Sequence, residues 1–483
     1  MFLLVAGLLV VIAGGCAGSR ERIESAQAAY ASGNPDAGYR QLAERGGMRD
    51  ETRDAFLWRL EEGKMAHDSG RHREAWETLT EASILADKID LEWSKTSIGE
   101  ELGAIAVNDR VRVFRGSYAD RIALENARVL AALAQGDGLG AAVAAKRIAE
   151  RQRDAEVEQA KRIESVNKEI AKRGGSNAVK DLLRREGVDM TTAYAAYLNP
   201  LGSWLSGILQ LSTGDGNDRQ RGETELRRAL AMVPDNRTLL GQVERNPFDL
   251  ARAGEPQVVV LFELGMAPRI DQETIPLITP WLGLSTIPFP RQVRMQRPAQ
   301  AIEVRGAGQV VRTETLADYD AIWEEDFKRR LPETILRTVV MVAAKEAATF
   351  AATEPLRQRR RGGSDGAAIG EIAVLIGASL YKYATNQSDL RTWRSIPAEV
   401  QIAQIPRPAD GTIDIALVSS GIGIGSTRVE LPPAPVALVW VRSATPGQLI
   451  VRAMPLQATY AVPSGPSTDD PAEETPSDQP AGE

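Results

Sequence analysis

One cysteine and two histidines are found in 483 residues. A lone thiol permits no internal disulfide, so the fold has no covalent crosslink to rely on. A zinc centre draws three or four ligands from Cys, His and carboxylates, and His67 and His72 are the only imidazoles. They stand five residues apart across a turn at Gly70, a spacing that predicts separate faces and surface positions, so no metal and no cofactor is expected. Ser-His-Asp and Cys-His nucleophilic devices fall to the same shortage. Basic residues number 58 against 65 acidic ones, and a net charge of -7 excludes the footprint of a nucleic-acid binder. No apolar run reaches the roughly 18–20 residues that span a bilayer. Phe2–Ala13 is too short, and Ala367–Ala384 carries Glu371 and Lys382.

The lone cysteine sits at the end of an apolar leader, MFLLVAGLLVVIAGGCAGS, directly after Ala13-Gly14-Gly15. Small residues before a Cys suit a lipoprotein signal peptidase, whose cleft takes an extended backbone and presents the thiol for acylation. Residues 1–15 are expected to be removed and Cys16 to be lipidated. Ala17, in place of Asp after the Cys, points to the outer membrane, with the chain facing the periplasm.

The first half reads as paired helices, expected over 16–253. Around Trp58–Asp87, Gly63, Ala66, Gly70, Ala75, Leu79 and Ala82 occupy the small and apolar positions of a tetratricopeptide-like repeat, two antiparallel helices in about 34 residues. Further copies are read at Ala26–Glu44, at Leu124–Ala149, and at Ser203–Asn236, where Gly207, Leu226, Ala229 and the terminating Pro234 match. The charge-dense stretch Ala142–Arg185 predicts a long solvated helix.

The period changes at Gly254-Glu255-Pro256. Gln257–Leu264, QVVVLFEL, predicts a buried strand, followed by short strands to residue 313. Helices are expected at Thr315–Arg330, Pro332–Ala352 and Ala367–Ala384. Five more strands follow over 399–454, spaced as a small antiparallel sandwich. The fold class expected is therefore α+β, a helical repeat domain followed by a mixed domain over 254–460 with a β-sandwich-like sheet and a helical insertion. From Pro463 the chain has no large apolar side chain, and the acidic tail 461–483 predicts disorder.

Three stretches, Ala193–Gln210, Glu255–Pro268 and Asp389–Ile405 (DLRTWRSIPAEVQIAQI), resemble the signature regions of a family of uncharacterised proteobacterial lipoproteins with tetratricopeptide repeats. Genes of that family often neighbour those for lipoprotein activators of penicillin-binding proteins, so the resemblance implies partners among cell-envelope proteins, with peptidoglycan assembly as the implied setting. It carries over no catalytic residue. The function expected is a protein–protein interaction scaffold. The alternatives are an accessory subunit of a secretion or surface-organelle complex, or a carboxylate-dependent glycan enzyme using Glu324, Glu325 and Asp326 beside Trp323.

Two clusters are candidate contact sites. Arg359, Arg360 and Arg361, with Arg357, form the densest run of like charge, suited to anionic head groups or to solvent. Arg391, Trp393 and Arg394 combine rigid aromatic area with forked donors, the composition of an interface hot spot or of an internal latch between helices and sheet. Mass spectrometry of the cellular protein tests the leader: a diacylated Cys16 at the mature N-terminus is expected, and an unmodified thiol on a soluble chain contradicts it.

Overall fold

The computed structural model describes residues 18–44, 52–93, 113–172, 199–213, 216–279, 283–361, 389–419 and 422–457. Cys16, the leader, Ala367–Ala384 and the acidic tail lie outside the described residues. The architecture is α+β: a helical N-terminal region followed by a strand-rich C-terminal region.

The helices come in hairpins. Helix α1 (18–31) turns into α2 (Pro35–Ala43), α3 (Ala55–Asp68) into α4 (His72–Trp93), α5 (Tyr118–Ala134) into α6 (Gly138–Lys172), and α7 (Pro200–Ser212) into α8 (Gly216–Met232). The short helices α9 (Arg237–Glu244) and α10 (Pro247–Arg252) lead to the strands. Starts are written locally: Asn34, Asn199 and Asn246 each cap a helix whose first turn carries Pro35, Pro200 or Pro247. At α5, Ser117 and Asp120 form a capping box. The turn at Gly70 needs a φ of 85°, in the left-handed region that glycine enters without a Cβ clash.

Two of the expected glycines mark close approaches. A Cβ on Gly63 would lie 2.6 Å from Cγ of Leu79 in the opposite helix, and one on Gly207 would lie 2.9 Å from the carbonyl oxygen of Gly222. Ala66, Ala75, Leu79, Ala82, Leu226 and Ala229 are buried between helices, whereas Pro234 is exposed and follows the end of α8. Helix α6 matches the long charged helix expected from Ala142 as far as Lys172, with Ile148 buried and Val157 exposed, and 173–185 lie outside the described residues.

In the second, third and fourth hairpins the first helix is covered on nearly all sides, whereas α1 keeps an exposed face that includes Glu21, Glu24, Ser25 and Ala28. In α3 burial runs unbroken from Phe56 to Asp68 apart from Arg59, and in α5 from Ala119 to Leu133. What covers them is a five-stranded sheet, ordered β11-β10-β1-β7-β6. Its strands are β1 (Gln257–Leu264), β6 (Glu314–Asp318), β7 (Glu399–Pro406), β10 (Val436–Ser443) and β11 (Ile450–Pro455). Val259, Leu261, Ile402, Leu438 and Trp440 face the helices and share their core. Val258, Val260, Phe262, Val439 and Val441 face the other way, onto a four-stranded sheet ordered β5-β4-β8-β9. That sheet comprises β4 (Ala301–Gly306), β5 (Gln309–Arg312), β8 (Thr412–Ser419) and β9 (Ile422–Glu430). Three layers result, and β1 is apolar throughout because both of its faces are buried. A separate hairpin pairs β2 (Arg269–Thr279) with β3 (Gly283–Val293).

Three expectations are corrected. The last five strands do not make an antiparallel sandwich among themselves. They divide between the two larger sheets, and β1 enters between β7 and β10, pairing parallel with β10, because a strand apolar on both faces belongs at a sheet centre. Residues 315–318, expected to begin a helix, belong to strand β6, which pairs with β7 and buries Leu316 and Ala317. Pro332 does not open a new helix: α11 runs unbroken over Tyr319–Arg361 with Pro332 inside it, the preceding turns held by the pairs Lys328–Glu324 and Arg330–Asp326.

The contact between Gly207 and Gly222 yields a prediction for urea unfolding. Gly207→Val forces two backbones apart and should lower stability by about 1–3 kcal/mol. Gly241→Ala, where a Cβ meets nothing within 4 Å, should raise it by about 0.4–1 kcal/mol.

Candidate functional site: a buried charge network and the clefts beside it

Strands β1 and β10 each carry one acid or base among apolar neighbours on the helix-facing side, and register places them opposite one another: Glu263 pairs with Arg442. Neither reaches water. Arg442 is fully enclosed, and its donors are all taken up inside. Nε and Nη2 donate to the Tyr30 hydroxyl at 3.1 and 2.9 Å, Nη1 to the Gly265 carbonyl at 2.5 Å, and Nη2 also to the Ser395 carbonyl at 3.1 Å. The Tyr30 hydroxyl donates to Asp68, whose carboxylate lies 3.3 Å from Arg442 Nε. Lys64 on α3 completes the set, 2.5 Å from Asp68 and 2.7 Å from Glu263. Two cations and two carboxylates thus balance in a dry interior, with backbone carbonyls filling the remaining guanidinium positions. Burial raises the Tyr30 hydroxyl well above its ordinary range, so it stays a neutral donor and acceptor.

The segment 389–396 is strapped across this network. Glu61 on α3 accepts from the backbone N–H of Arg394 at 2.7 Å and of Ser395 at 3.3 Å, and from Gln27 at 2.6 Å. Burial pushes its carboxyl up, against the pull of those donors. Trp393 is fully buried, its indole N–H donating to the Ser395 hydroxyl at 2.9 Å. Arg391 is buried between Asp54 at 2.7 Å and Asp389 at 2.6 Å. Although burial raises Asp389, Arg391 holds it below the usual carboxylate range. Arg391 and Trp393 therefore lie inside the molecule, joining helices to sheet, and only Arg394 keeps a partly exposed side chain. Arg359, Arg360 and Arg361 end α11, and their side chains lie outside the described residues.

The histidines are also corrected: neither is a surface residue, and they do share a face. Ending α3 and opening α4, they are brought together by the tight Gly70 turn, with Nδ1 atoms 3.3 Å apart and the His67 ring edge-on to Trp440. Among the described residues no third metal ligand joins them. Burial pushes His67 well below its ordinary range and His72 down to about 4.

Two clefts flank the strap. One, of about 160 Å³, lies between α5, α11 and the β2–β3 hairpin and is lined by Phe114, Asp120, Trp323, Phe327 and Arg330. The Trp323 N–H donates to Asp120 at 3.2 Å, and burial raises that carboxyl. Of the three acids considered for glycan chemistry, Glu324 is held by Arg294 and Lys328, Glu325 by Arg329, and the buried Asp326 by Arg330. The second cleft, of about 200 Å³, lies between α1, the start of α3, the base of the hairpin and the strap. Comparison with family models, with curated proteins and with solved structures finds no match.

Tyr30, Lys64, Asp68, Glu263 and Arg442 did not stand out by motif. A signal was present nonetheless: Glu263 in QVVVLFEL and Arg442 in VALVWVRS are lone charges in strands too apolar to leave them in water.

Arg442→Met leaves an uncompensated carboxylate in the interior and should cost about 3–5 kcal/mol in denaturant unfolding. Acid gives a second prediction. Unfolded histidines protonate near pH 6.5, whereas His72 resists to about 4, so the unfolded state binds more protons in that window and stability falls as pH drops through it. Melting temperature against pH should show this decline, and the double variant His67→Asn, His72→Asn should flatten it.

Proposed function

We propose that this chain is an outer-membrane lipoprotein, anchored through Cys16, that serves as an interaction scaffold for cell-envelope proteins. The helical hairpins are read as degenerate tetratricopeptide-type repeats. The observation that supports this is the recurrence of one packing device, a glycine in the first helix meeting the second at Gly63–Leu79 and at Gly207–Leu226.

The scaffold works differently from the open groove expected of such repeats. That groove would hold a peptide or helix against the first helix of each hairpin, but here α3, α5 and α7 are buried nearly throughout, sharing a core with the chain's own five-stranded sheet. Partners are left the second helices. Among these α4 exposes Ile84 and Leu91, and α6 exposes Leu139, Val143 and Val157. These side chains are the apolar area that the outer helices offer a partner.

The reading is tested in cells with a photo-crosslinking residue at position 84 or 143, and at 310 on β5 as a control. A discrete adduct with an envelope protein is expected at 84 or 143, absent at 310 and lost when Cys16→Ser removes the anchor. Adducts that ignore both position and anchor contradict the scaffold.

A further inference from the structure

The second cleft carries an asymmetry of charge. Four arginines line it, Arg20, Arg269, Arg391 and Arg394, with three carboxylates, Glu24, Asp54 and Asp271. Each carboxylate is already matched: Glu24 to Arg20 at 2.7 Å, Asp271 to Arg269 at 3.1 Å, Asp54 to Arg391 at 2.7 Å. The Arg394 guanidinium forms no direct ion pair among the described residues, its charge partner being Glu61, whose carboxyl burial raises and the Arg394 charge lowers. The backbone N–H of Arg394 is held by Glu61, and its buried Nε meets no hydrogen-bond acceptor. An arginine fixed at its backbone, lining a cleft of about 200 Å³ and with its Nε unmet, offers that cleft a forked cation suited to an oxyanion.

Position along the chain selects the source of that anion. Arg20 follows Cys16 by four residues, so covalent geometry alone keeps its backbone within roughly 14 Å of the Cys16 backbone. The β2–β3 hairpin leaves from the same cleft, and from Thr274 to Pro290 the sequence carries no charged residue. An acyl chain binds membranes durably when a basic site beside it engages the head groups.

We propose that the cleft binds the phosphate head group of an anionic phospholipid, with Arg394 as the principal ligand and Arg20 and Arg269 at the rim. The proposal rests on the lipid-anchored reading for its choice of lipid over free phosphate. It orients the chain on the surface, with the start of α1, the strap and the hairpin base toward the head groups.

The test uses the full chain carrying Cys16→Ser, so that no acyl chain is attached, and co-sedimentation with phosphatidylcholine vesicles with and without phosphatidylglycerol. Phosphatidylglycerol should strengthen binding, and Arg394→Gln should weaken that part roughly fivefold, the share of one arginine at an anionic surface. Arg394→Lys should retain most of it, and Arg305→Gln, at an exposed position of strand β4, should leave it unchanged. Asp271→Asn, which releases Arg269, should strengthen binding and gives a reading even if Arg394→Gln lowers the melting temperature. No response to phosphatidylglycerol in the parent chain overturns the proposal. So does Arg394-dependent binding of inorganic phosphate by calorimetry without any vesicle response, which would make the cleft a site for a soluble anion. Acylation of Cys16 is read separately by mass spectrometry, so failure of the anchor and failure of the cleft are distinguishable.

Discussion

A guanidinium enclosed on all sides, that of Arg442, joins the helical layer of this protein to its central sheet. Burying it would be prohibitive without compensation, and the compensation comes from four places in the chain: Tyr30 on the first helix, Asp68 on the third, and the backbone carbonyls of Gly265 and Ser395. Each partner lies on a different element, so the network is satisfied only when helices, sheet and strap are assembled at once. Apolar burial supplies the larger share of the driving force, but it is tolerant of small displacements. The charged network is not, and it fixes the register of α1 and α3 against β1 and β10.

The central sheet has no free face. One side meets the four-stranded sheet and the other the first helices of the hairpins, so the core runs through the change from helix to strand at Gly254 without a break. Helical hairpins of this size usually leave their inner face for a ligand. Here the chain's own sheet covers most of that face, and the surfaces left open are the outer helices and the clefts on either side of the strap. The two clefts differ in character: one is aromatic, with a raised carboxyl at Asp120, and the other is rich in arginine.

Much of this was legible in the sequence where local chemistry decides. Asn-Pro starts, glycine turns, small residues at helix contacts and the apolar run of β1 all act over a few residues, and the matching elements lie where those signals place them. Long-range pairing was not legible. Nothing local in Val436–Ser443 distinguishes a parallel partner in β1 from an antiparallel one in a neighbouring hairpin, so the division of the last strands between two sheets came only with the structure. The same holds for His67 and His72, whose proximity depends on how tightly one turn closes. Arg391 and Trp393 show the limit from the other side: composition marked them as important, but an interface and an internal latch ask for the same residue types, and only burial separates the two.

The central claim is that helices and central sheet form one cooperative unit locked by the network around Arg442. Native-state hydrogen exchange measures this most directly. Amides of α3, β1 and β10 should open with one common free energy, and Arg442→Met should lower it equally for all three. Separate openings, with α3 retaining its protection while β1 and β10 lose theirs, would contradict the account.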